Sequence, residues 1–340
     1  MPSMSDRLGR PLRNLRLSVT DRCNLRCQYC MPEESYTWLP KADVLSFEET
    51  ARLVDRFVEL GVDKVRITGG EPLLRSELPK LVAMLAERPL QDLALTTNGV
   101  LLREHARDLK RAGLRRLTVS LDTLDRGTFE LLTRRDQLDR VLDGVEAARE
   151  AGFEGTKIDT VAIAGVNDGE VPELLDYARS VGAELRFIEY MDVGGATRWR
   201  MDRVVSRAQL LELVADRFGH VTPLPRSDSA PAERFELEDG TTFGVISSVT
   251  QPFCSTCDRA RLTADGVLFT CLYAADGVDL RATLRGGADD AALRQKLMGV
   301  WGARRDRGAE VRAGIEDRGA LAQAEAMKQN PHLEMHTRGG

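Results

Sequence analysis

The six cysteines of the chain fall into two triplets, Cys23-x3-Cys27-x2-Cys30 and Cys254-x2-Cys257-x13-Cys271, with none left over. Thiolates at such spacing are metal ligands, and a centre given three of them keeps one coordination position for something else. An electron-transfer iron–sulfur cluster takes four cysteines and has no such opening. Two open centres in one chain therefore point to an enzyme whose substrate or cosubstrate binds metal directly. A disulfide framework suits a small secreted domain. This chain has 340 residues, no apolar N-terminal signal segment and no run long enough to span a bilayer, so we expect reduced thiols in the cytoplasm. Structural zinc wants a fourth protein ligand, yet His105, His220, His332 and His336 all lie outside the triplets. Iron–sulfur is the reading for both.

The rest of the composition narrows the ligand. A formal net charge of -5 argues against general nucleic-acid binding, which needs an excess of Lys and Arg. An anionic ligand must then meet cations gathered locally. There is no Gly-x4-Gly-Lys-Ser/Thr run, so phosphates cannot be held by a P-loop and need side chains instead, with Arg the best fit. Arg259-Ala260-Arg261, two residues beyond Cys257, puts two guanidinium groups on one side of an extended segment. Arg66 and Lys157 lie inside predicted strands, where an unpaired charge is costly unless it faces a polar cavity.

Short β-branched runs alternate with amphipathic stretches up to about residue 190, the pattern of a parallel sheet wrapped by helices. Strands are expected at 15–19, 64–68, 93–96, 116–120, 157–163 and 184–189. A capping box at Ser46-Phe47-Glu48-Glu49 opens a helix that closes near Gly61, and further helices fit 77–86, 103–112, 138–151 and 170–181. Six β/α units predict an α/β fold built on a partial (β/α)6 TIM-like barrel, with ligand sites at the carboxyl ends of the strands. The motifs sit at those ends: Cys23 to Cys30 after the first strand, Gly69-Gly70-Glu71-Pro72 after the second, Thr97-Asn98-Gly99 after the third, Ser120-Leu121-Asp122 closing the fourth. A polar stretch at 226–232 could link two domains, a barrel over 1–230 and a second metal-binding region over 231–340 that closes the barrel mouth.

Cys-x3-Cys-x2-Cys after a first strand, followed by Gly-Gly-Glu-Pro after the second, resembles the radical S-adenosylmethionine enzymes. Within them, residues 15–22, 66–72, 186–192 and 253–262 and the terminal Gly339-Gly340 resemble the GTP-cyclising family of molybdenum-cofactor biosynthesis, over nearly the whole chain. The resemblance implies that Cys23, Cys27 and Cys30 hold one [4Fe–4S] cluster and Cys254, Cys257 and Cys271 a second. It implies S-adenosylmethionine contacts at Tyr29, Gly70, Ser120 and Met191, with Tyr29 on the adenine. GTP contacts are implied at Arg16, Arg66, Thr96, Lys157, Arg259 and Arg261. One departure is visible, since His336-Thr337-Arg338 is more polar than the hydrophobic lead-in of the family.

The implied reaction is a radical rearrangement. A 5′-deoxyadenosyl radical takes the C3′ hydrogen of GTP, the sugar radical attacks C8, and reduction gives 3′,8-cyclo-7,8-dihydro-GTP. Its implied partners are an external one-electron reductant of flavodoxin or ferredoxin type and a downstream cyclic pyranopterin synthase, and a homodimer is compatible with it. Neither nucleic acid nor membrane is expected. Two rivals remain at this stage, a radical enzyme that modifies a peptide with an auxiliary cluster, and a non-catalytic adaptor with two structural zinc sites.

Overall fold

The computed structural model describes residues 4–33, 35–226 and 229–339. All six expected strands form, each within one residue of the expected ends. The barrel half runs β1 (Asn14–Ser18), α1 (Phe47–Glu59), β2 (Lys64–Thr68), α2 (Leu78–Ala86), β3 (Asp92–Thr97), α3 (Leu102–Arg111), β4 (Arg116–Ser120), α4 (Arg126–Thr133), α5 (Leu138–Glu150), β5 (Lys157–Ala162), α6 (Val171–Ser180) and β6 (Glu184–Glu189). The capping box is present, with the Ser46 hydroxyl accepting from the Glu49 amide at 3.1 Å and the Glu49 carboxylate from the Ser46 amide at 2.8 Å. The second helix starts at Leu78 rather than Glu77, because Glu77 holds φ at 59°, a left-handed position outside the helix.

Six α-helices, α4 and the five after β6, had no counterpart in the sequence reading. α4 is capped by Asp125, whose carboxylate accepts from Thr128 N at 2.7 Å. α7 (Arg207–Phe218) opens on a second capping box, Ser206 with Gln209. After α7 the chain adds β7 (Val221–Pro223), β8 (Glu233–Leu237), β9 (Thr242–Ile246), β10 (Arg259–Leu262), β11 (Val267–Phe269) and β12 (Val278–Asp279), then α8 (Leu280–Arg285), α9 (Asp290–Ala303), α10 (Gly308–Ala313) and α11 (Ala324–Gln329).

β1 to β6 lie side by side in chain order and are all parallel. The later strands extend both edges of this sheet. β9 joins β6 in parallel, and β10 joins β1 in parallel, giving twelve strands in the order β12-β11-β10-β1-β2-β3-β4-β5-β6-β9-β8-β7.

Strand side chains alternate between two faces. On one, Leu15, Leu17, Val65, Ile67, Leu93, Leu95, Leu117, Val119 and Ile158 are buried in the core with Leu53, Val54 and Phe57 of α1, Leu81, Val82 and Leu85 of α2 and Val141 of α5. The other face is polar. Arg16, Arg66, Thr96, Thr118, Ser120, Lys157, Asp159 and Arg186 all line an internal cavity. A barrel interior filled with branched aliphatics is the usual stable packing; a polar one leaves room for a ligand.

Candidate active site

The first triplet sits in the loop that leaves the carboxyl end of β1. Its turn is made by backbone, with Cys30 N and Met31 N donating to Cys27 O at 3.0 and 2.7 Å, and Arg26 N donating to Thr133 O at 2.9 Å. Leu25 N and the Asn98 amide donate to Cys23 Sγ at 3.4 and 3.8 Å. Burial, then the charge of Glu71, pushes the Cys23 thiol up to about 11. Cys27 and Cys30 are pushed up as well, by burial first and by Cys23 next. Three thiols that each resist ionisation, Cys27 and Cys30 partly because of Cys23, fit a metal cluster, since bound metal deprotonates a coordinating thiol and removes that penalty.

The second triplet is held differently. Cys254 opens a single 3-10 turn, Cys254–Thr256, Cys257 caps its end, and Cys271 follows β11. Backbone amides of Ala309 and Glu310, in the first turn of α10, hydrogen bond to Cys254. α10 can come this close because it begins with glycine: a Cβ on Gly308 would lie 2.6 Å from Tyr273 Cβ and 3.0 Å from Cys271 Sγ. Burial pushes the Cys257 thiol up, but the guanidinium groups of Arg259 and Arg304 outweigh it and bring it down to about 6. Those groups donate to Cys257 Sγ at 3.5 and 3.3 Å. Arg304 is 4% exposed, and no sequence motif marked it. Among the described residues no three His, Cys, Asp or Glu side chains converge on a point that would hold a single metal ion.

Both triplets open into one cavity of about 730 Å³. Tyr29, Gly70, Ser120 and Met191 line it, as do Arg16, Arg66, Thr96, Lys157, Arg259 and Arg261. The Tyr29 hydroxyl donates to Asp122 at 2.6 Å, and Asp122 is fixed in turn by Val161 N at 2.8 Å. Gly70 has no space for a side chain, since a Cβ there would sit 2.4 Å from Arg22 O. The amides of Gly70 and Glu71 donate to Thr20 O and Arg22 O, so the Gly-Gly-Glu-Pro edge braces the first cysteine loop. The Glu71 side chain, fully buried, accepts from Leu73 N, Thr97 Oγ1 and Asn98 N at 2.7 to 3.0 Å and ties the loop after β2 to the one after β3. The sequence reading placed Glu71 in the Gly-Gly-Glu-Pro motif and gave its side chain no role.

The cations are arranged by register. Arg261, Arg16 and Arg66 face one another across β10, β1 and β2. Arg66 donates to Thr96 Oγ1 at 3.0 Å and to Thr118 Oγ1 at 2.9 Å. Burial, then Arg261, Arg66 and Arg259, lowers the Arg16 guanidinium well below its usual range. Burial and Arg259 bring Arg261 down to about 10, and burial with Arg186 and Arg116 brings Lys157 down to about 8. Cations that penalise one another in a buried space are stabilised by an anion among them. An acidic chain thus carries a cationic chamber.

Residues 17–178 match the Radical SAM superfamily and residues 183–329 match Molybdenum Cofactor Synthesis C. The chain is 52% identical over 340 residues to GTP 3′,8-cyclase 3 of Mycobacterium bovis, covering 98% of this chain and 90% of that relative. It is 52% identical over 342 residues to GTP 3′,8-cyclase 1 of Mycobacterium tuberculosis, covering 99% and 95%. The chain belongs to the GTP 3′,8-cyclase family. Membership removes the zinc adaptor, and with it come S-adenosylmethionine and [4Fe–4S] clusters as cofactors. A crystal structure of Streptococcus suis SuiB bound to S-adenosylmethionine shares the fold, at a TM-score of 0.61 and 17% identity over 90% of this chain and 68% of that one.

In this member of the GTP 3′,8-cyclase family the tail is tightly seated. The amide of His336 hydrogen bonds to Cys30, and Met335 N donates to Gly194 O at 3.0 Å. Arg338 is 1% exposed, lies 4.0 Å over the Phe269 ring and donates to Leu272 O and Ala274 O at 2.8 and 2.7 Å. The polar lead-in that departs from the family's pattern is therefore buried and hydrogen bonded, spanning from one cysteine loop to the other. Gly339 follows at φ 65°, and its carbonyl accepts from Arg16 and Arg261, each at 2.9 Å. Gly340 lies outside the described residues.

Asp192 is a second residue the sequence reading did not single out. It has no exposure and accepts from Tyr273 Oη at 2.9 Å, Arg312 Nε at 2.6 Å and Arg318 Nε at 2.8 Å, joining the Met191 loop to the C-terminal region. Its only prior signal was its place in the 186–192 motif. The polar stretch read as a linker also has a place here: Ser229, Ala230 and Pro231 line the cavity, and Ser229 donates to Asp258 at 2.6 Å.

Proposed function

We propose that this cavity cyclises GTP to 3′,8-cyclo-7,8-dihydro-GTP, the first step of molybdenum cofactor biosynthesis. Cys23, Cys27 and Cys30 would hold the cluster that binds S-adenosylmethionine, with Tyr29, Gly70, Ser120 and Met191 around that cofactor. Cys254, Cys257 and Cys271 would hold the second cluster, facing the guanine. Reduced by one electron, the first cluster and S-adenosylmethionine supply the removal of hydrogen from ribose C3′. The chain's own residues bind, orient and enclose. Arg16, Arg66, Thr96, Lys157, Arg259 and Arg261 hold GTP, and the polar barrel wall keeps the reacting sugar away from bulk water.

The observation that carries this reading is the run of Arg261, Arg16 and Arg66 across three neighbouring strands, in the same cavity as both cysteine triplets. A peptide substrate gives no reason for such a concentration of buried positive charge. An external one-electron protein reductant, a cyclic pyranopterin synthase downstream and a cytoplasmic setting complete the reading. No helix among the described residues is long and apolar enough to cross a membrane.

The test uses the anaerobically reconstituted chain, which should contain about eight irons. Adding GTP is expected to change the electron paramagnetic resonance spectrum of the second cluster, including in a Cys27→Ala variant, whereas S-adenosylmethionine alone leaves that cluster's spectrum as it was. An unchanged spectrum at saturating GTP would move the substrate elsewhere.

A further inference from the structure

Asp159 stands in the middle of β5, two residues beyond Lys157 on the same face of the strand, and lines the cavity. In register it lies between Ser120 of β4 and Arg186 of β6. Its charge reaches Arg16 and Arg66, yet its Oδ1 is buried and accepts no hydrogen bond among the described residues. A buried carboxylate oxygen without a donor is destabilising. A carboxylate among cations that bind phosphate also weakens their hold on it. Both costs are offset if the ligand itself brings a donor to this place.

The position says which part of the ligand that is. On one side Asp159 adjoins Ser120, assigned above to S-adenosylmethionine, and on the other it follows Lys157, assigned to GTP. The carbon that loses its hydrogen must lie between the two ligands, so the sugar is the part of GTP at the level of Asp159. A carboxylate with two accepting oxygens suits two neighbouring hydroxyls, as an acidic residue suits the ribose in dinucleotide-binding folds. We propose that Asp159 accepts hydrogen bonds from the ribose hydroxyls of GTP and so selects a ribonucleotide over a deoxyribonucleotide. This deepens the reading of the cavity as the GTP site and rests on it.

The experiment is equilibrium binding of GTP, 2′-deoxy-GTP, 3′-deoxy-GTP and inosine triphosphate to the anaerobic two-cluster protein, as wild type, Asp159→Ala and Asp159→Asn. The wild type should prefer GTP over both deoxy analogues by about tenfold or more, the scale of one hydrogen bond to a charged group. In Asp159→Ala that preference should fall to within about twofold, while Asp159→Asn, which keeps one accepting oxygen, retains part of it. Removing the negative charge strengthens binding of every triphosphate alike, so that effect cancels in the ratio. An undiminished preference in Asp159→Ala overturns the proposal. Loss of the preference for GTP over inosine triphosphate, with the ribose preference intact, also overturns it by assigning the carboxylate to the base. Lys157→Ala separates the two levels: it should weaken GTP and its deoxy analogues equally, and an unaffected Lys157→Ala would overturn the cavity assignment itself.

Discussion

Cys27→Ala is expected to reduce 5′-deoxyadenosine formation to background while leaving the second cluster in place, so that iron falls from about eight to about four per chain. The turn around Cys27 is built from its carbonyl, which accepts from Cys30 N and Met31 N, so alanine keeps the loop and removes only the thiol. Cys23 and Cys30 remain, but two thiolates do not hold a cluster that three were placed to hold. The Cys254, Cys257 and Cys271 site has its own supports, α10, Arg10 and Arg304, which hydrogen bond to Cys254 and Cys257. Anaerobic cleavage of S-adenosylmethionine at the wild-type rate would remove Cys27 from the cluster.

The second large effect belongs to the tail. A Cβ on Gly339 would lie 2.1 Å from Thr68 Oγ1 and 3.1 Å from Thr68 Cβ, at the carboxyl end of β2, and the residue's φ of 65° disfavours any side chain besides. Gly339→Val is therefore expected to expel the tail from its seat between Arg16 and Arg261. Both clusters should assemble and GTP should still bind. GTP-dependent cleavage of S-adenosylmethionine and the yield of cyclised product should drop by about a hundredfold, the usual penalty when reacting groups shift by an ångström. Deleting Gly339 and Gly340 together should give the same result. Normal product formation by either variant would show that the tail is only an end of the chain.

How far residues alone reach can be judged from particular elements. β1 to β6 are legible because central parallel strands need β-branched runs and their helices need an apolar stripe, both of which are local patterns. Arg66 and Lys157 announce a polar interior because a charge inside such a strand has few other places to go. β9 and β10 are not legible in the same way: β10 is only four residues long, and its partner β1 lies at the other end of the sequence. α7 was legible and missed, since Ser206 and Gln209 are a capping box by type and spacing. Glu71, Asp192 and Arg304 owe their importance to side-chain partners brought in from other segments, which the local sequence around them does not show.

The parallel pairing of β10 with β1 bears on how the chain is made. During synthesis β1 to β6 can assemble early, each strand finding its neighbour within one β/α unit. The free edge of β1 then stays unpaired until residues 259–262 leave the ribosome, because no earlier strand takes that place in the sheet. Exposed edges of this kind recruit other chains, and the delay comes from sequence separation that no local stability can shorten. The nascent barrel half is thus the stage at which a chaperone or a slower ribosome would raise the yield of folded protein, before any iron is inserted.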